Sequence, residues 1–117
     1  ARWCPPCLTE MEPLKQLRSK FSTNDLIIYS ICVSEPKEQW EECLNEYSLK
    51  NRGIECVHVT DYLGIDNYQK IRKQWKIDRI PYYILINRKG QIIDFGATAR
   101  PSNPQLVSRI EDAVNSK

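Results

Sequence analysis

Read for its alternation of apolar and polar positions, the chain falls into helical and extended segments in near-regular turn. Leu8, Met11, Leu14, Leu17 and Phe21 recur at close to helical spacing, which predicts a first helix from about Pro5 to Phe21. Pro13 interrupts that helix and should bend it or free a backbone carbonyl, because it lacks an N–H and its ring crowds the preceding turn. After the polar break Ser22-Thr23-Asn24-Asp25, the run Leu26–Val33 is nearly all apolar and β-branched, the pattern of a strand covered on both faces. Glu35 and Pro36 open a second helix with Trp40, Cys43, Leu44 and Tyr47 on one face, ended by Asn51-Arg52-Gly53. Ile54–Val59 reads as a short strand. Asp66 is placed to cap a third helix bearing Tyr68, Ile71, Arg72 and Trp75.

The second half closes differently. Ile80–Ile86 reads as a strand with Pro81 near its start, Asn87–Gly90 as a turn, and Gln91–Phe95 as an antiparallel return. Asn103-Pro104 then supplies a cap and a first-turn proline for a last helix with Leu106, Val107, Ile110, Ala113 and Val114 on its apolar side. Alternating helix and strand requires parallel crossovers, and the end requires an antiparallel hairpin. One α/β domain spanning residues 1–117 follows, with a mixed sheet.

Composition adds little and excludes something. An apolar fraction of 41% and a charged fraction of 27% are those of an ordinary globular protein. The net charge of +2 comes without a run of like charges, so there is no footprint for nucleic acid or for an acidic membrane surface. No apolar run reaches the length of a membrane span, and no signal peptide is visible.

The chemistry sits at the start. Trp3-Cys4-Pro5-Pro6-Cys7 places two cysteines across a helix N-terminus, where unpaired N–H groups and the macrodipole stabilise a thiolate. Prolines fit the first turn and limit how far the sulfurs can separate. Cys4 is expected to be the exposed thiol and Cys7 its more buried partner. Free thiols have a pKa of about 8.5, and CxxC pairs at helix N-termini bring it to ~3.5–7.5. Cys32, Cys43 and Cys56 lack paired spacing and read as buried small apolar residues. His58, the single histidine, reads as structural, and with no second CxxC there is no metal set.

A CxxC in a βαβ context is read as a thioredoxin-like redox motif. WCPPC, the distant Lys76–Ile93 segment KIDRIPYYILINRKGQII, the extra helix and strand between Pro36 and Val59, and the late ARPSNPQL together resemble thioredoxin-fold thiol-disulfide oxidoreductases, and more closely their TlpA/ResA-like branch. The resemblance implies a thioredoxin-like three-layer α/β/α fold with a mixed sheet and a helix–strand insertion. It implies Cys4 as nucleophile, Cys7 as resolving thiol and Pro81 as a cis-proline beside a substrate groove, with Ile80 facing Cys4. Trp3 would flank the disulfide, or else pack in the core. Glu10 matches a glutamate near the active cysteines and could carry the resolving thiol's proton, or else be a solvated helix residue.

The implied activity is disulfide exchange with protein substrates, as a reductase fed by an upstream electron donor, with no cofactor beyond the dithiol itself. The implied location is periplasmic or membrane-tethered and extracytoplasmic. A redox-silent peptide-binding module and a thiol peroxidase are the competing readings. Two departures stand out. Pro13 falls six residues after Cys7, where relatives place it five after, and Ile80 precedes the proline where this branch often has threonine. The fold also has a strand before its CxxC, whereas only Ala1 and Arg2 precede Trp3 here. A truncated N-terminus is therefore expected, with a membrane tether possible upstream of Ala1, or a monomer replaced by a strand-swapped dimer.

Overall fold

The structure is a computed structural model that describes residues 1, 3–32, 36–58 and 64–116, without the side chains of residues 58, 64–68 and 71. Its elements run α1 (Pro5–Thr9), α2 (Met11–Lys20), β1 (Ile28–Cys32), α3 (Lys37–Glu46), β2 (Ile54–His58), α4 (Gly64–Trp75), β3 (Ile84–Ile86), β4 (Ile92–Phe95), a 3-10 turn (Gly96–Ala99) and α5 (Pro104–Asn115). This is the expected thioredoxin-like α/β order, including the inserted helix and strand α3 and β2. Strands of both senses are present: β1 and β2 are parallel, β3 and β4 antiparallel. They form two separate pairs, and no described strand bridges β1 to β3 or precedes Trp3.

The first helix divides earlier than its apolar spacing predicts. Pro13 cannot donate to the Thr9 carbonyl, and α1 ends there. Glu10, still in a right-handed helical conformation, joins α1 to α2. α3 also ends early, at Glu46 rather than near Asn51. Ser48 takes φ +54°, its amide donates to the Asn45 carbonyl, and the Leu49 amide donates to the Leu44 carbonyl. That is a Schellman ending, completed by the buried contact partners Leu44 and Leu49. It was hidden because serine stands where glycine usually marks the stop. Asp66 lies inside α4, two residues past its start, rather than capping it.

Two apolar clusters hold the elements. Leu17 of α2 meets Ala99, Leu106 and Ile110, with Tyr83 and Leu85 against them. Ile28 and Ile54 of the parallel pair lie under Leu44 and Leu49, with Met11 and Leu14 of α2 and Trp40 of α3 alongside. The helix bearing the cysteines thus continues into α2, which touches both strand pairs through the two clusters. The opposite face of the parallel pair is open: Tyr29, Ile31 and Val57 are exposed, so the expectation of a strand covered on both faces is corrected. Several α4 side chains lie outside the described residues, as do Val33, Glu35 and Val59.

β3 starts at Ile84, later than expected, leaving Ile80–Tyr83 as a loop. The Asn87 side chain accepts from the Lys89 and Gln91 amides and shapes the turn into β4. At α5, Asn103 accepts from the Gln105 amide and Pro104 opens the first turn, as the sequence predicts.

Candidate active site

Cys4 is the N-cap of α1, with extended backbone angles, and Pro5 and Pro6 fill the first helical positions. Its Sγ accepts from the Cys7 amide at 3.3 Å, so one of the helix's unpaired donors points at this sulfur. Cys4 and Cys7 are joined in a disulfide, with Cα atoms 5.3 Å apart. Both are buried, Cys4 at 4% exposure and Cys7 at 7%. The expectation of an exposed Cys4 and a more buried Cys7 is therefore corrected. In the oxidised pair the Cys4 sulfur lies back over the helix end, bonded to Cys7 and to its amide.

The other expected site residues fall around this pair to different degrees. Trp3 is 58% exposed, which favours a surface role over core packing. The Ile80–Pro81 peptide bond is cis, and both residues are half-buried in the loop before β3. Glu10 is buried rather than solvated, at 5% exposure. Its amide donates to the Cys7 carbonyl at 3.2 Å. Its carboxylate accepts from the Ser102 amide at 2.9 Å and from the Ser102 hydroxyl at 2.6 Å, across 92 positions of sequence.

Tyr83, two residues past Pro81, feels the same carboxylate. Burial pushes its phenol well above the usual range and the Glu10 charge pushes it further, with the Arg100 guanidinium partly offsetting both. The charges of Glu10, beside the dithiol helix, and of Arg100, at the 3-10 turn's exit, thus both act on Tyr83 of the cis-proline loop. Arg100 keeps its Nε buried with no hydrogen-bond partner among the described residues. Ser102 and Arg100 escape any sequence reading, since nothing local ties position 10 to position 102.

Two shallow clefts lie between the β3–β4 turn and α5, lined by residues such as Asn87, Arg88 and Ala113, away from Cys4 and Cys7. Cys32 and Cys43 take no part in the disulfide and are buried, as small apolar side chains would be. Cys56 is half-buried, and desolvation, with the neighbouring Glu55, raises its thiol pKa. Among the described residues no cluster of three or more His, Cys, Asp or Glu side chains could hold a metal ion. The His58 side chain lies outside the described residues.

A redox-capable cysteine pair at a helix N-terminus, in a thioredoxin-like frame, is what the family comparison meets. The profile of the Redoxin family matches residues 1–114. The chain belongs to the Redoxin family. No curated protein and no solved structure gives a significant match. Membership makes this Redoxin domain a thioredoxin-fold thiol oxidoreductase in the broad sense, which spans disulfide exchange and peroxide reduction.

Proposed function

We propose that this Redoxin domain is a thiol-disulfide oxidoreductase of the TlpA/ResA-like kind, running as a reductase of protein disulfides. The observation that carries the reading is the Cys4–Cys7 disulfide, with the Cys4 sulfur accepting an amide hydrogen bond at the helix cap. In the reduced protein that amide and the helix dipole favour a Cys4 thiolate. The thiolate attacks one sulfur of a substrate disulfide, forming a mixed disulfide and expelling the other substrate sulfur as thiolate. Cys7 gives its proton to the Glu10 carboxylate and attacks the Cys4 sulfur. The Cys4–Cys7 bond forms, the mixed disulfide breaks, and the second substrate sulfur leaves. Two electrons pass to the substrate, and an external dithiol must return them.

The remaining parts of the reading concern how substrate is held. The loop at Ile80–Pro81 offers backbone to an extended substrate segment as one short added strand. Exposed Trp3 provides an apolar flank. The branch resemblance supports an extracytoplasmic location.

The test is reduction of insulin by dithiothreitol, with and without the protein. Wild type should accelerate it, Cys4→Ser should not, and Cys7→Ser should accumulate a mixed disulfide visible by mass spectrometry. Turnover of hydrogen peroxide faster than of disulfide would overturn the reading in favour of a peroxidase. Substrate capture undiminished in Cys4→Ser, with no turnover by wild type, would favour a binding module.

A further inference from the structure

We propose that Ser102 is a positioning residue for the proton step of disulfide exchange, holding the Glu10 carboxylate one turn past Cys7 as the acceptor of the Cys7 proton. This inference rests on the exchange reading given above. A carboxylate at 5% exposure is costly to bury unless its charge is met by donors. Here both donors come from one residue: the Ser102 amide serves one oxygen and the hydroxyl the other. An ionised carboxylate has about four acceptor positions, so two remain for an incoming proton.

Cys7 and Glu10 are three apart in a helical stretch, which sets their Cβ atoms about 5–6 Å apart on one face. The helical path is continuous at Glu10, since the Leu14 amide donates to the Glu10 carbonyl at 2.9 Å. Rotated free, the glutamate side chain could swing to solvent. Ser102 fixes it inward instead. Among the described residues the Tyr83 phenol, from the loop before β3, feels the Glu10 charge, and the Arg100 guanidinium, from the turn after the 3-10 segment, acts on that phenol. Tyr83 stays a neutral phenol across the working range, so Ser102 is the neutral donor pair that directs Glu10.

Ser102 is itself partly open to solvent, and alanine there keeps the amide bond and removes the hydroxyl bond alone. The probe is the aromatic disulfide DTNB, mixed with reduced protein in a stopped flow and followed by thionitrobenzoate release. The first release forms the Cys4 mixed disulfide. The second, a phase independent of DTNB concentration, is Cys7 attacking the Cys4 sulfur, and Cys4→Ser in parallel identifies it. Wild type should show a second phase nearly flat from pH 6 to 8. Glu10→Gln should lose that flatness and slow by 10²-fold or more at pH 6, in the range for a removed general base. Ser102→Ala should slow it about 3–10-fold at pH 6 and converge with wild type near pH 8, and Ser102→Thr should restore it to within about twofold.

Slowing of Ser102→Ala by the same factor at every pH, or no slowing while Glu10→Gln is slow, overturns the role of Ser102 and leaves Glu10 in place. A Glu10→Gln phase identical to wild type overturns both. No DTNB-independent phase in wild type overturns the exchange reading itself. Urea midpoints of the variants separate these outcomes from loss of fold.

Discussion

Arg18 is 6% exposed, in the last turn of α2, and among the described residues no carboxylate pairs with its guanidinium. It donates instead to three backbone carbonyls: Leu26, Phe21 at 2.8 Å and Ser22 at 2.8 Å. Those carbonyls belong to the chain leaving α2 and entering β1, and that of Ser22 also accepts from the Asp25 and Leu26 amides at 3.1 and 3.0 Å. The guanidinium also sits at the negative end of the α2 dipole, which a cation stabilises by about 0.3–1 kcal/mol. One planar fork therefore closes the α2–β1 connection.

Arg18→Ala removes all of this. A hydrogen bond to a charged group contributes about 1.5–3 kcal/mol, but Phe21 and Ser22 stand partly in solvent and can turn to water. Counting Leu26 in full and the others in small part gives a loss of about 2–4 kcal/mol. Unfolding entropy of about 2.1 cal/mol/K per residue gives about 0.25 kcal/mol/K for 117 residues, so the melting temperature should fall by about 8–16 °C. Arg18→Lys keeps the charge and loses the fork, and should recover less than half of the difference. Urea denaturation with an unchanged m-value is the assay. Cys7 lies 11 residues before Arg18, about 16 Å along a helix at 1.5 Å per residue, so DTNB kinetics well below the melting point should match wild type. An Arg18→Ala midpoint within about 0.5 kcal/mol of wild type would refute the reasoning, since surface arginines behave that way.

Three other outcomes are expected. Ser48→Gly should stabilise the fold by about 0.5–1 kcal/mol, because serine holds φ +54° in the Schellman ending of α3 where only glycine is unstrained; calorimetry showing a lower melting temperature would contradict this. Gly53→Ala should destabilise by about 1–2 kcal/mol: φ is +75°, and an added Cβ would come within 3.3 Å of both Arg18 Cδ and Thr23 Cγ2. Asp94 is raised by burial but held lower on balance by donation from Thr98, Arg109 and the Phe95 amide. Its contribution is thus present above the unfolded pKa of about 3.9 and lost as pH falls through its lower folded value. Asp94→Asn should therefore be less stable at pH 7 and show a flatter acid unfolding curve, and equal steepness in both proteins would count against the assignment.

Periodicity made the frame legible because apolar faces must be buried whatever else happens. Trp40, Cys43, Leu44 and Tyr47 line the packed side of α3, and the Asn103-Pro104 cap opens α5. Element ends were less legible where backbone geometry decided them. Of the two outcomes expected at Pro13, the structure shows the freed carbonyl, that of Thr9, and the helix divides there. The Leu26–Val33 run suggested two covered faces, yet Tyr29 and Ile31 stand exposed, since an apolar run records what a strand can tolerate and not what meets it.

The site shows the same division more sharply. Cys4 and Cys7 could be found by spacing because their chemistry is local: a cap, two prolines and a turn of helix bring the sulfurs together. Glu10 could be placed one turn on, but whether it was solvated or buried depended on Ser102, 92 residues away. Arg18 and Glu10 are the two buried charged side chains among the described residues, and they flank α2 at opposite ends. Each sits where the helix dipole favours its sign, and each is met by neutral partners from elsewhere in the chain. With both ends of α2 fixed this way, the short helix that carries the dithiol has a rigid continuation behind it. Exchange of the Cys4–Cys7 bond then need not disturb the frame. Reducing the disulfide should therefore leave amide exchange in α2 unchanged while freeing α1, and faster exchange throughout α2 on reduction would contradict this.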